Sequence, residues 1–500
     1  MKRRFCYIVL VLTCAFNIHA QDNINTLYFM ENAPFRHTIN PAFQPVSKIY
    51  IALPVIGQTS LSISNNGLSM QDIIFTNSDG QTITALHPDA EGKLWNKLPS
   101  ILNIDTDINL NLVGVGRRIK DNGYLTIGVS EHMIIGVGIP KGMFSPLLGQ
   151  SIESINLSAL NLSTTAYAAL AIGYSHRIND QWSVGGKVKG LLGMLHLSGQ
   201  FENFSFTSTS DIATLEGSGK LCQAGLLDVR LLLPSENEEN NEEMMDEEII
   251  TENLNMNTIL SYIKPQGFGG AIDLGFTYKP VQNLQIAVSA TDIGLIYWKG
   301  GSIGSIQIDT TFTGVGEFEY ADYVENGKFQ TEKFKSDITT NLEKYATALH
   351  INDIQDQAFK QMLTANLNIG IDANFWKNRI GVGLYSHTRF FNMLENLLVT
   401  EEITFGAAFR PANWFNMAIS YSFINSNWSN AGFALSLAPY DGIMITVAAD
   451  YIPLSYANYS TENNRIIPIP YKTGNVNISF GTAIVIGTNH KKKTKNPTQI

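Results

Sequence analysis

Cysteine is almost missing from this chain. Of 500 residues only Cys6, Cys14 and Cys222 carry a thiol. The first two lie in an N-terminal apolar segment, so the lone remainder cannot build a disulfide framework. Charge is scarce as well: Asp, Glu, Lys and Arg make up 16% of the chain, against roughly 25% in soluble globular proteins. Something other than water therefore faces much of the surface. Beyond the N-terminus no apolar run approaches the roughly 20 residues that a membrane helix needs. A chain of this kind crosses a bilayer only as a closed sheet. A basic stripe with interleaved aromatics is also lacking, which excludes nucleic acid as a partner.

The N-terminus is where one apolar run does occur. Lys2, Arg3 and Arg4 precede Phe5 to Phe16, and Ile18-His19-Ala20 followed by Gln21 places a small residue at a cut. Residues 1–20 read as a secretory signal cleaved between Ala20 and Gln21. Thr13 before Cys14 is too bulky for a lipoprotein cleavage site. Removing Lys2, Arg3 and Arg4 from the 34 basic residues leaves 31 against 44 acidic ones, a net of −13.

What is present is a period of two. From Asn366 to Asn374, Leu367, Ile369, Ile371 and Ala373 fall on one side of an extended chain, and Asn366, Asn368, Gly370, Asp372 and Asn374 on the other. One greasy and one wet face is the pattern of a transmembrane β-barrel strand. Leu170, Ile172 and Tyr174 alternate with Ala169, Ala171, Gly173 and Ser175, turn at Ile178-Asn179-Asp180-Gln181 and return from Trp182. Ile272, Leu274 and Phe276 do the same around Lys279-Pro280-Val281-Gln282-Asn283. Further turns stand near 120–123, 376–379, 410–414 and 439–442. Longer connections, 140–162, 232–266, 327–362 and 455–474, separate them. Short turns on one rim and long loops on the other predict an outer-membrane barrel with a periplasmic basic tail at 488–500.

Three regions break the period. Gln71 to Ile101 reads as a long loop or plug segment. The stretch 235–253 is a run of acidic residues that stays solvated, and its spacing matches no calcium loop. Residues 332–362 carry Leu342, Tyr345, Ala346 and Leu349 at helical spacing, which predicts one or two short helices in an external loop or folded into the lumen. Aromatics near strand ends, Tyr297-Trp298, Phe375-Trp376, Phe390-Phe391 and Trp414-Phe415, predict an interfacial girdle.

Tyr28-Phe29-Met30-Glu31-Asn32 followed by Asn40-Pro41-Ala42-Phe43 resembles the mature N-terminal end of outer-membrane barrels of the Bacteroidetes. The Asn-Pro-Ala is also similar to the start of the long-chain fatty-acid transporter family and of type IX secretion barrel subunits. Two internal stretches, 173–189 and 272–298, carry the same likeness. It implies a barrel of about fourteen strands with an N-terminal segment, residues 21–47, entering the lumen as a plug that Asn40, Pro41 and Ala42 shape. The residues alone give 14 to 18 strands within 48–487, because 200–233 and 302–320 read as strands or as folded loops. The last strand ends at Ile486 rather than at a terminal aromatic.

No catalytic constellation is present: the histidines lack the i, i+4 spacing of a zinc helix, Gly114-Val115-Gly116 and Gly136-Val137-Gly138 sit in strands without a following helix, and there is no G-x-S-x-G elbow. Neither an enzyme, a cofactor nor a metal is expected. The candidate functional residues are polar positions on the inward face: Lys187, Lys189, Asp273, Asn366, Asn368, Asp372 and Asp450. They either line a path or satisfy one another and the plug backbone. Two functions follow for a barrel held in outer-membrane lipid. One is passive uptake of a hydrophobic or amphipathic small molecule. The other is anchoring of partner proteins, to which the large acidic and helical loops would belong.

Overall fold

The computed structural model describes residues 24–487, less 55–56, 77–81, 91, 146–147, 149–153, 209–211, 226–264, 314–319, 326–327, 331–332, 335, 338–349, 394–395, 413, 425–426, 441, 455, 461–465 and 471–473. The signal segment, the acidic run at 235–253 and the basic tail lie outside the described residues.

A closed antiparallel wall of fourteen strands surrounds an occupied lumen. The wall strands are β1 (Ile49–Ala52 continued by Thr59–Asn65), β2 (Ile101–Ile119), β3 (Gly123–Pro140), β4 (Asn161–Arg177) and β5 (Trp182–Phe201). They continue with β6 (Gly267–Val281), β7 (Leu284–Trp298), β8 (Ala365–Phe375), β9 (Ile380–Met393) and β10 (Asn396–Ala412). The circuit ends with β11 (Phe415–Ile424), β12 (Asn427–Tyr440), β13 (Ile443–Ile452) and β14 (Val476–Ile486). Closure is made by β14 pairing back on both halves of β1, Tyr50 opposite Val485 and Leu61 opposite Ile478. A closed ladder leaves no wall edge unpaired, which is what a hydrocarbon environment demands.

Side-chain alternation explains why these segments make a wall. Leu170, Ile172 and Tyr174 are 52%, 52% and 47% exposed while Ala169, just before them on the strand, is 2% exposed. Ile369 and Ile371 point out and Asn366 and Asn368 point in. The apolar side therefore faces away from the lumen, as lipid requires. Phe375, Trp376, Trp182 and Trp414 are exposed near the short-turn rim. The girdle expectation fails at Trp298, which is 0% exposed and donates through Nε1 to Gln361 Oε1 at 3.0 Å. Strand parity decides this: Tyr297 faces out, so its neighbour must face in.

Strands outside the wall account for the wider sequence count. Ile212–Gly225 pairs with the outer end of β5 and with Gly301–Thr313, which pairs in turn with His350–Asp356. They pack a separate apolar cluster that includes Phe204, Leu215, Ile306 and Ile308. Of the helical expectation for 332–362, Leu342, Tyr345, Ala346 and Leu349 lie outside the described residues, residues 333–334 and 336–337 are helical, and 350–362 departs from it. His350–Asp356 and Phe359–Met362 are strands, the second on the outer end of β7. Free ladder groups on neighbouring strands outweighed a weak helical period. Residues 71–101 hold short helices at Met70–Ile73 and Lys93–Lys97 and the hairpin Ile74–Thr76 with Thr82–Thr84.

Candidate functional site

Inside the wall lies the N-terminal segment, with two short 3-10 turns, Asn25–Phe29 and Pro34–Thr38. Almost every residue from Ile24 to Phe43 is buried. A segment this short has no core of its own, so its backbone groups must be satisfied by the wall.

They are met at several heights. Asp450 on β13 accepts from Asn25 N at 2.6 Å and Thr26 N at 3.3 Å, and also from the Thr26 hydroxyl. Tyr28 stacks on Tyr385 with centroids 4.6 Å apart and donates to Asp372 Oδ1 at 2.8 Å. Ile39 O receives Ser289 Oγ at 2.7 Å and Asn368 Nδ2 at 3.2 Å. Lys187 Nζ donates to His37 O at 2.5 Å. Arg410 pairs with Glu31 at 3.0 Å, and the Arg36 guanidinium sits 4.1 Å from the Phe43 ring centroid.

The Asn-Pro-Ala turn approaches the wall closely. Asn40 Nδ2 donates to Val288 O at 3.1 Å, and its Oδ1 accepts from Ala42 N at 2.9 Å. The turn presses on two wall glycines. A Cβ at Gly185 would stand 2.2 Å from Pro41 O, and one at Gly275 would stand 2.2 Å from Asn40 Oδ1.

Burial sets the protonation of the plug's own groups. His37 has its pKa driven well below the ordinary value by loss of hydration and then by the nearby Lys187, so its ring is neutral. Tyr28 is raised well above its ordinary value by burial and by Asp372, and stays a phenol. Burial pushes the Glu31 carboxyl up, but Arg410 and Arg36 outweigh it and hold the group below its usual range.

Between the plug and strands β1 to β5 lies a cavity of about 170 Å³. Thr38, exposed although both chain neighbours are buried, lines its plug side with His37. Gln58, Ser60, Asn111, Thr126 and Ser130 bring polar groups from the wall, and Tyr167, Ala171 and Ile134 bring apolar surface. His132 stacks on Tyr167 with centroids 5.0 Å apart and holds Asn109 Oδ1 at 2.5 Å through Nδ1.

A charge cluster borders the cavity. Lys189 Nζ lies 2.9 Å from Asp273 Oδ1 and 2.6 Å from Asp292 Oδ1. Asp292 takes a left-handed φ of 59° at a wall bulge, a conformation disfavoured for a residue with a Cβ. The bulge turns its carboxylate to Lys189 and its backbone N–H to Asp273 Oδ1 at 2.8 Å. At the outer side, Arg389 on β9 donates to Asp107 on β2 in a two-point fork, 3.2 and 3.0 Å. Those strands stand opposite one another in the circuit, so the pair spans the lumen. Asn109, next inward-facing on β2, and Asn366, cross-strand to Arg389, both line the cavity.

Of the seven inward polar residues named from the sequence, Lys187, Lys189 and Asp273 come together on β5 and β6. Asn366, Asn368 and Asp372 stack along β8, where Asn366 Oδ1 meets His387 Nε2 at 3.0 Å. Asp450 stands apart under the plug tip. His37, Asp292, Asp107 and Arg389 were not named. Asp107 and Arg389 do sit on the wet side of alternating strands, but nothing in the spacing says that they meet.

In overall shape the chain is similar to the Pseudomonas putida toluene transporter TodX, at 9% identity over 94% of this chain and 98% of that one, with a TM-score of 0.41. A Pseudomonas aeruginosa FadL homologue is similar at 10% identity over 92% and 95%, TM-score 0.39. The CymD monoaromatic hydrocarbon channel is similar at 9% identity over 95% and 100%, TM-score 0.41. No curated protein matches the sequence. Residues 41–450 match the model of the family of unknown function DUF5723, and the chain belongs to that family.

Proposed function

We propose that this protein is an outer-membrane barrel through which a small amphipathic molecule passes passively, along the space between the plug and strands β1 to β5. The observation that carries this reading is the cavity of about 170 Å³ with hydroxyl and amide groups beside Tyr167, Ala171 and Ile134. A lumen meant only to be filled has no use for an exposed Thr38 facing such a space. By the asymmetry of its turns, the short rim faces the periplasm and the long loops face outside. Passage requires the Asp107–Arg389 pair or the plug to yield, so the reading is one of gated movement. Full-length protein in liposomes should speed entry of an amphipathic solute over protein-free vesicles. Equal rates would overturn it.

A second reading has its own support. The plug is held by bonds from β5, β7, β8, β10 and β13, as a permanently filled anchor for partner proteins would be. In-cell crosslinking that recovers no protein partner would remove it.

A further inference from the structure

We infer that the cavity between plug and wall takes a single uncharged molecule of about one-ring size, with hydroxyl groups beside an apolar face; this rests on the passage reading above. Size comes first. A cavity of about 170 Å³ is close to the ~150 Å³ that accommodates a benzene ring.

Charge comes next. Lys189 is matched by Asp273 and Asp292, and Lys187 donates to His37 O while standing cross-strand from Asp273. Two cations and two anions leave no charge unmet. An entering ion would lose its hydration and find no counterion. A pure hydrocarbon fares no better, because Gln58 and Ser60 would lose water without a replacement partner.

Two groups ask for a hydroxyl in particular. His37 is 9% exposed and its Nε2 is taken by Tyr50 OH at 2.6 Å, but Nδ1 has no partner among the described residues. Asn111 Oδ1, which only accepts, is also buried without one. Both atoms are closed to water, so a ligand hydroxyl, which donates and accepts, reaches either one only as its side chain turns toward the cavity. The ring of such a ligand lies against Tyr167, Ala171 and Ile134.

The test uses full-length protein in nanodiscs, with empty nanodiscs subtracted, and four probes built on the same six-membered ring: trans-1,2-cyclohexanediol, cyclohexanecarboxylate, cyclohexylammonium and cyclohexane. Ligand-observed NMR titration should show saturable binding of the diol, at least tenfold weaker binding of both ions, and only partitioning of cyclohexane. Ala171→Trp, which fills the space, should abolish diol binding. His37→Phe should weaken it about fivefold, the loss of one neutral hydrogen bond. Both variants are first checked for the folded gel mobility before boiling. An ion or cyclohexane that saturates the site as tightly as the diol overturns the inference, as does diol binding unchanged in Ala171→Trp, or no saturable diol binding. Diol binding without any solute passage in liposomes would overturn the passage reading alone. Passage of an amphipath with no diol binding would overturn this inference alone.

Discussion

Gly185 and Gly275 set how closely the Asn-Pro-Ala turn can lie against the wall, because the space for a Cβ at either is already filled by the plug. Gly185→Ala meets a backbone carbonyl, which has nowhere to swing. Overpacking of this kind costs about 1–3 kcal/mol, and the plug is the part free to move. The wall should still form, and the plug bond arrested by Asn40 should loosen; limited proteolysis near residues 24–43 should speed up in G185A and G275A. A second residue-scale expectation concerns acid. An undocked His37 takes up a proton near the ordinary value of about 6.5, whereas the docked ring resists it because it is buried and faces Lys187 and Tyr50. Its contribution to docking is thus intact above that pH and lost progressively as pH falls below it. Glu31, held low by Arg410 and Arg36 against its burial, adds a loss of the same sign that begins only nearer the ordinary carboxylate range. Plug cleavage should rise between pH 7.5 and 5 in the native chain, and this first step should flatten in His37→Phe.

A wall strand is readable because lipid and lumen sort its side chains with a period of two. β8 is the clearest instance, with Ile369 and Ile371 out and Asn366 and Asn368 in. Ile369→Arg should destabilise the barrel by about 2–4 kcal/mol if the position lies near the bilayer midplane, against a far smaller cost for Ile369→Val. Urea titration of protein folded into vesicles would measure the difference. The same period failed to settle residues 302–313, because a strand above the bilayer and a folded loop draw on the same residues, and at 350–362 a helical spacing pointed the wrong way. There the decision belonged to neighbours: the outer end of β7 offered its ladder to Phe359–Met362, and Gly301–Thr313 offered its own to His350–Asp356. Bulges are equally hard to foresee. Nothing local marks Asp292 as the residue to take a left-handed φ, yet that twist is what completes the pair of carboxylates around Lys189.

For the molecule as a whole, the Asp107–Arg389 fork matters most, since it ties opposite walls across the lumen at the outer border of the cavity. Breaking it from one side strands a buried carboxylate, and such losses are typically about 3–5 kcal/mol. Arg389→Met should therefore lower the temperature at which the folded band disappears on gels, and Asp107→Asn combined with Arg389→Met should recover part of that loss. If the fork also blocks the path, the double variant should raise solute entry into liposomes above the native rate. On the passage reading, the fork and the plug close the lumen at two levels, so variants at both sites should increase entry more than either alone.

The sequence by itself determined a barrel: sparse charge, a single surplus thiol, no helix-length apolar run and strands alternating every second residue leave few other ways to keep backbone groups paired in lipid. It also determined which side chains share the wet face, because that follows from parity along one strand. Only the tertiary structure decided which of those side chains meet. Pairing Arg389 with Asp107, His37 with Tyr50, or Pro41 with Gly185 depends on the circuit closing at fourteen strands and on where the plug comes to rest, and contacts between residues so distant along the chain leave no periodic trace in it.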